Sequence, residues 1–473
     1  MAESTFSYDS VPYPSYTFPQ THPDRLSTIG SLHGLSSAHP ERCRVLELGC
    51  GDGTNLLSFA YALEQSSFVG VDLSNIHINK ARSAASELGL ENVSFIQADL
   101  STLTAEDLGM YDFIIAHGLF SWVPDSVRDD LLRIYSECMA PEGVGYISYN
   151  AYPGCHIREI SSEIMKFAAD ERLDPEKRVE YGRAFLNLIT ESADEDSLYQ
   201  SMLKIELSHI IDRSDQNIYH DDLSELNQPF YFRDFATMLG SSGLQFISEA
   251  DAVSSHPGKL SPKAQQVLRS TGDDLLRREQ IIDLITCRRF RCSIVCRENI
   301  ELKQSATACS AKGILISSRI ESTADATEIA SAAGVNFIGS DGTSVTIDHP
   351  LTKAALVHLG RVYSRRVSFR DLIGEAAKFL GMIEPDAGDV ARTENILDQF
   401  YYAGLISLHR YQPKFVDTVS DEPEASRFAR WQLKNGSQSV TSLAGPNLVP
   451  GNSVTRAFLS LLDGQHNQAE VMK

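Results

Sequence analysis

The stretch Arg44–Asn55, R-V-L-E-L-G-C-G-D-G-T-N, constrains this chain more than any other. Val45, Leu46 and Leu48 form a short apolar run of strand type, which breaks into Gly49, Gly51 and Gly53. Beyond the third glycine, Leu56, Leu57, Phe59, Ala60 and Leu63 recur at helical spacing. Strand, glycine turn and helix together open a nucleotide-binding α/β unit. Glycine is needed there because the backbone turns tightly and a ligand approaches with no Cβ in the way.

The spacing narrows the ligand. A dinucleotide fingerprint reads G-x-G-x-x-G, whereas this turn reads G-x-G-x-G with Glu47 in the strand before it. No Lys or Ser/Thr follows in P-loop register, so phosphate is not the obvious guest, and a dehydrogenase reading is disfavoured. A carboxylate just before the turn suits a ligand that carries an amino group. The stretch closely resembles the first motif of class I methyltransferases, which bind S-adenosylmethionine. Taken alone, a glycine turn is equally a tight strand-to-helix connection, so the residues downstream must decide.

They continue the alternation. Ser67–Leu73 reads as a second strand ending in Asp72, about 20 residues past the glycines, where such a site holds a ribose hydroxyl. Asn75–Leu88 is helical. Asn92–Leu100 is a third strand with Asp99 near its end, placed to accept from an adenine amino group. Asp112–Ala116 is a fourth strand, followed by His117, Gly118 and Trp122. Asp125–Met139 is a helix, and Val144–Asn150 a fifth strand. Any one acid here could be a helix cap. Their joint order at successive strand ends marks the ligand side of an open α/β sheet. The expected S-adenosylmethionine site is therefore Glu47, Gly49, Cys50, Gly51, Gly53, Asn55, Asp72, Leu73, Asp99, Leu100 and His117.

At 473 residues the chain holds two or three domains. Its formal net charge of -21 argues against nucleic acid as the main partner and suits a basic or lysine-rich substrate. The eight cysteines include no C-x-x-C pair and read as reduced thiols of a cytoplasmic protein. No apolar run approaches the roughly 20 residues of a membrane span, and the N-terminus shows no apolar signal core. No metal-ligand cluster is legible.

Residues 1–40 are rich in Ser, Pro and Tyr, and Pro12, Pro14 and Pro19 exclude a long helix. Tyr8, Tyr13, Tyr16 and Phe18 fit either an arm packed on the surface or a lid over the site. Past the fifth strand, Y-N-A-Y-P-G-C-H (149–156) places aromatic and polar groups where a transferred methyl would project. Residues 156–226 read as a helical insertion. Tyr231–Gly243 reads as a helix, and Leu244–Ala250 and Phe290–Arg297 as two final strands, the last antiparallel. Arg288, Arg289 and Arg291 form a basic cluster expected to pair with the acidic surface.

H-P-D-R-L, E-L-G-C-G-D-G, A-H-G-L-F-S-W-V-P, S-Y-N-A-Y-P-G-C-H, P-F-Y-F-R-D-F and R-R-F-R-C resemble bacterial methyltransferases that carry a methyltransferase regulatory domain. The resemblance covers most of residues 5–300 and, more loosely, the remainder. That family includes protein-lysine methyltransferases acting on outer-membrane proteins. Cys155 departs from its pattern, in which a tryptophan would follow Y-P-G. The resemblance implies a Rossmann-like α/β methyltransferase domain over 41–298, with the regulatory region at about 218–300. It also implies an acceptor that is a protein lysine; from their positions, Tyr149, Asn150, Tyr152, Trp122 and, from the arm, Tyr13 are the expected acceptor site. A small-molecule O- or N-methyltransferase and a non-catalytic S-adenosylmethionine-binding interaction protein remain as alternatives. A homodimer is compatible with the sequence.

The C-terminal third begins after a polar linker at 305–312. Asn336–Ile338 and Val345–Ile347 flank Ser340-Asp341-Gly342, a hairpin signal. Helical stretches at Leu351–Tyr363, Ser368–Leu380 and Asp389–Ala403 and a strand at Gly404–Arg410 suggest an α-rich, winged-helix-like domain over 312–473. Its third helix is acidic, which favours a scaffold or interaction role over DNA. Thr352-Lys353-Ala354-Ala355-Leu356 recurs as Thr455-Arg456-Ala457-Phe458-Leu459, a weak internal repeat whose second copy reads as incomplete at Lys473.

Overall fold

A computed structural model describes residues 11, 13, 16–251, 253, 256–272, 274–303, 308–416 and 418–472. Tyr8, Pro12, Pro14 and residues 305–307 of the expected linker lie outside the described residues. The centre is a seven-stranded sheet of order β3-β2-β1-β4-β5-β7-β6. Its strands are β1 (Arg44–Leu48), β2 (Ser67–Asp72), β3 (Val93–Gln97), β4 (Tyr111–Ala116), β5 (Met139–Asn150), β6 (Leu244–Glu249) and β7 (Phe290–Arg297). β7 alone runs antiparallel to its neighbours, between β5 and β6. β1 lies between β2 and β4, so the strand order reverses there and opens a crevice beyond its C-terminal end.

The apolar runs of these strands are buried on both faces, as parallel strands require. One face packs Val45, Phe113, Val144 and Ile294 against the helices Thr54–Ala62 and Asn75–Leu88. The other packs Leu46, Ile114, Ile147 and Val295 against Asp125–Cys138 and Phe232–Ser241. Two boundaries of the central strands differ from expectation by three residues or more. β3 stops at Gln97 because Asp99 accepts from Ser101 N at 2.9 Å and starts a 3-10 turn. The helix expected to end at Met139 stops at Cys138, and Met139 already pairs with Tyr111 across an irregular stretch of β5.

Between β5 and the helix Phe232–Ser241 stand four helices, Gly154–Ala168, Pro175–Ser192, Leu198–Ile211 and Asp215–Asp221. Met165, Val179, Leu186, Leu203, Ile210 and Ile218 give them a small core of their own. The arginine cluster does not sit on the acidic surface. Arg291 is fully buried on β7, where Glu249, Glu279 and Asp283 surround it, and Arg288 reaches two of these carboxylates, Glu249 and Asp283. Arg289 turns instead toward Glu206 of the insertion. The Cys155 thiol, in place of the expected tryptophan, is buried and donates to the Arg289 carbonyl at 3.2 Å.

The C-terminal third is two successive units built alike. In the first, the helix Ala326–Ala330, a hairpin of Val335–Ile338 with Ser344–Ile347, and the helix Pro350–Arg361 follow one another. In the second, the order is Arg427–Lys434, Val440–Thr441 with Asn447–Leu448, and Ser453–Leu461. The repeated cation has one role in both. Lys353 Nζ donates to the carbonyls of Glu328, Ser331 and Ala333, each at 2.8 Å, and Arg456 donates to those of Ser437 and Gln438. Each cation thus satisfies carbonyls left open past the end of the preceding helix. The first unit adds helices Phe369–Phe379 and Ala387–Ala403 and a three-stranded sheet, a winged-helix arrangement.

Asp24, on the helix Pro23–Leu32, locks this third onto the domain of the seven-stranded sheet. It accepts from His409 Nδ1 at 2.8 Å, from Arg410 N at 2.6 Å and from Arg366 at 3.0 Å. Burial alone would raise its carboxyl, but His409 and Arg366 hold it well below the usual carboxylate range. Asp24 therefore favours the docked state above the ordinary carboxylate pKa, and that contribution fades only as pH falls far below it.

Candidate active site

A cavity of about 1150 Å³ opens at the C-terminal ends of β1, β2, β3 and β4. Its floor is the glycine turn. Gly51 has φ 53°, and a Cβ there would point into open space. Gly51 N donates to Asp72 Oδ2 at 2.8 Å and Ser74 N to Oδ1 at 2.9 Å, so the acid at the end of β2 braces the turn beside it. Gly49, Cys50, Asn55, Leu73, Asp99, Leu100 and His117 also line the cavity. Gly53 does not. A Cβ there would meet Phe95 at 2.6 Å and Ala81 at 2.9 Å, so this glycine lets the helix pack closely on the sheet.

Glu47 is 3% exposed. Its Oε1 accepts from Asn55 Nδ2 at 2.8 Å, while Oε2 is buried without a hydrogen-bond partner. No cation approaches among the described residues, and burial pushes the carboxyl from 4.5 up to about 8. A buried orphan acceptor is costly, and an ammonium group is what would satisfy it. His117 is its neutral counterpart. Burial lowers it to about 3, and Nδ1 lies 2.9 Å from the Tyr146 hydroxyl.

The N-terminal arm crosses this cavity. Phe18 N donates to Asn55 Oδ1 at 2.8 Å, and the Phe18 ring lies 3.8 Å from that of His117. Asn55 therefore ties the arm to Glu47. Farther out, the Val11 carbonyl is 2.6 Å from His220 Nε2 in the insertion, and the Tyr13 ring is 5.6 Å from His220. On the other side Asn447 Nδ2 donates to the Thr17 carbonyl at 2.8 Å, from the hairpin of the last unit. Asn447→Ala is expected to loosen this strap and speed cofactor release several-fold with little change in melting temperature, as stopped-flow displacement would show.

Three regions of the chain match family models. Residues 45–143 match the methyltransferase domain, 214–297 the predicted methyltransferase regulatory domain, and 421–473 the PKMT C-terminal winged helix domain. This chain belongs to the S-adenosylmethionine-dependent methyltransferases with a methyltransferase regulatory domain. An uncharacterised protein of Rickettsia prowazekii is 28% identical over 98% of this chain and 85% of its own length. A second from the same organism is 34% identical over 48% of this chain and 92% of its own. The structure of PKMT2 from Rickettsia typhi in complex with AdoHcy superposes with TM-score 0.84 at 26% identity, over 97% of this chain and 90% of that one.

S-adenosylmethionine is the methyl donor of this methyltransferase. The orphan oxygen of Glu47, the open space above Gly51 and the acid ending β2 fit that group. The acceptor residues expected from the sequence divide. Tyr13, Trp122 and Asn150 line the same cavity. Tyr149 does not. Neighbours on a strand face opposite ways, so Tyr149 points away from Asn150 into the core, 1% exposed and 4.2 Å from the Phe235 ring. Tyr152 is also absent from the walls. It lies past the end of β5, stacked on His156 at 4.0 Å, with its hydroxyl 2.5 Å from Glu159.

The walls also include residues that sequence reasoning missed. Arg158, Glu206, Arg213, Asp221 and Asp222 come from the insertion, and Arg289 from just before β7. No local pattern marks them, because helix packing alone brings them to the cavity. Asp222 is held by Arg158 at 2.8 Å and by Arg213.

Proposed function

We propose that this methyltransferase transfers its methyl group to the side-chain amine of a lysine in a protein. The observation that carries this reading is the cavity. It exceeds the roughly 300–1,000 Å³ of a small-ligand site, and beyond the glycine turn its walls combine Trp122, Tyr13, Tyr16 and Tyr219 with the carboxylate of Glu225, while the other acids of the insertion there are held by arginines. Aromatic faces and acids together suit a cationic side chain arriving from solvent. Similarity along almost the whole chain to PKMT2, whose name denotes a protein-lysine methyltransferase, supports the same reading.

In this proposal Glu47 Oε2 accepts from the donor's ammonium, Asp72 from its ribose hydroxyls, and Asp99 with Leu100 receives the adenine. The bound donor supplies a methyl group on a sulfonium, ready for in-line displacement. The protein's own part is to position the amine and exclude water. A lysine must arrive neutral, and its free pKa is about 10.4. Desolvation between Trp122 and the arm's aromatic rings lowers it, and Asn150, fixed by Asn227 at 2.7 Å, offers a polar group to orient the amine.

Mass spectrometry of lysate proteins incubated with the enzyme and labelled S-adenosylmethionine tests this. Methyl-lysine in a small set of proteins is the expected result. Label confined to the metabolite fraction would reject it in favour of a small-molecule acceptor.

A further inference from the structure

Four guanidinium groups reach the cavity from the insertion and from just before β7: Arg158, Arg178, Arg213 and Arg289. Three are neutralised. Arg158 and Arg213 hold Asp222, Arg213 also holds Asp221, and Arg289 meets Glu206 at 3.0 Å. Arg178 is different. Among the described residues no carboxylate lies within ion-pair reach of it, and its Nε is buried without a hydrogen-bond partner. Its guanidinium carbon sits 5.5 Å over the Tyr219 ring. Stacking of that kind engages the face of the group and leaves its fork of N–H donors pointing sideways. Arg178 as a whole is half-buried, and Asp170, paired with Arg172, feels its charge from beyond ion-pair distance. A buried donor left without a partner in a cavity wall requires an explanation, and a guanidinium fork matches a carboxylate in bidentate fashion.

We propose that Arg178 binds a carboxylate of the methyl acceptor, so that the enzyme selects lysines lying close to one. This rests on the lysine reading above. Asn150 offers a polar group on the sheet wall, and Arg178 a cationic one on the insertion wall. An acceptor segment crossing the cavity would then be read at two points, the amine at one and the carboxylate at the other. Every other cavity arginine is already committed, so Arg178 carries this selectivity. The carboxylate comes from an Asp or Glu side chain or from a chain terminus.

A positional library of lysine peptides, incubated with the full-length enzyme and labelled S-adenosylmethionine, tests this directly. The expected result is enrichment of Asp or Glu at one or two positions flanking the lysine. Amidated and free-acid peptides separate side-chain from terminal carboxylate. Arg178→Gln is expected to raise KM for acidic peptides tenfold or more, the loss of one charge-assisted pair. It should leave kcat, cofactor affinity and non-acidic peptides nearly unchanged. Arg178→Glu should shift the preference toward Lys- or Arg-flanked sites. Lysine methylation by the wild-type enzyme without any acidic preference would overturn the proposal, whatever the variants do. Methylation of no lysine in any peptide or protein would overturn the lysine reading itself and this inference with it.

Discussion

Glu47→Gln is expected to weaken S-adenosylmethionine binding about a hundredfold and, in the same protein, to raise the melting temperature of the cofactor-free form. The two effects have one cause. Glu47 Oε2 is buried with no partner, and burial lifts the carboxyl from 4.5 to about 8. A folded-state pKa above the unfolded one means stability is fully present below about 4.5 and is lost as pH rises toward 8. At pH 7 the cofactor-free protein therefore forgoes about 3 kcal/mol at this residue. Glutamine keeps the tie to Asn55 and removes the titration. A cationic ligand reverses the account, because it favours the ionised carboxylate and gains a charge-assisted hydrogen bond worth about 3 kcal/mol. Wild-type affinity should thus climb with pH between about 6 and 8, approaching tenfold per unit, with a proton released on binding. Calorimetry in two buffers of different ionisation enthalpy reads that proton. A pH-independent affinity in the wild type would show that Glu47 does not hold the ammonium.

The largest loss of stability is expected at Arg291. Its guanidinium is fully buried on β7, 2.7 Å from Glu249, 2.8 Å from Asp283 and 3.2 Å from Glu279, and 4.1 Å from the Phe232 ring centroid. Arg291→Met fills the same space with an apolar chain but leaves Glu249 and Asp283 with Arg288 alone and Glu279 without an arginine ion pair. Removing one partner of a buried ion pair costs about 3–5 kcal/mol, and this hub should fall at the upper end of that range. Burial already raises the carboxyls of Glu279 and Asp283. In the variant they rise further and take up protons more readily. The deficit should therefore shrink as pH falls, the sign expected for groups whose folded pKa is raised. Denaturant titrations at pH 5 and pH 8 measure both the loss and its pH dependence. Lys414→Met, which breaks an exposed pair with Glu64, is the control and should change stability by less than about 1 kcal/mol. Because Arg289 and Phe290 line the cavity just before Arg291, Arg291→Met should also disturb the acceptor side before the cofactor side.

Some of this protein was legible in its sequence because the signal is local. The glycine turn, Glu47 and the alternation of strands with helices depend on backbone conformation and on burial at fixed spacing. Such patterns survive in a string of letters, and the sheet and the cofactor end of the cavity followed from them. Reading a whole strand end as one site went too far. Asn150 and Tyr149 are adjacent in sequence, yet strand pleating sends one to the cavity and the other to the core. Gly53 looked like a third ligand-contacting glycine, but Phe95 and Ala81, far along the chain, claim the space above it. The arginine cluster read as a surface feature because the three carboxylate partners of Arg291 are scattered over residues 249–283 and converge only when β6, β7 and the helix Leu275–Thr286 pack, while the partner of Arg289, Glu206, comes from the insertion. The acceptor wall was the least legible of all. Its charges sit on and between the four helices of the insertion and just before β7, whose mutual packing no local pattern encodes, and whether an arginine is ion-paired depends on that packing.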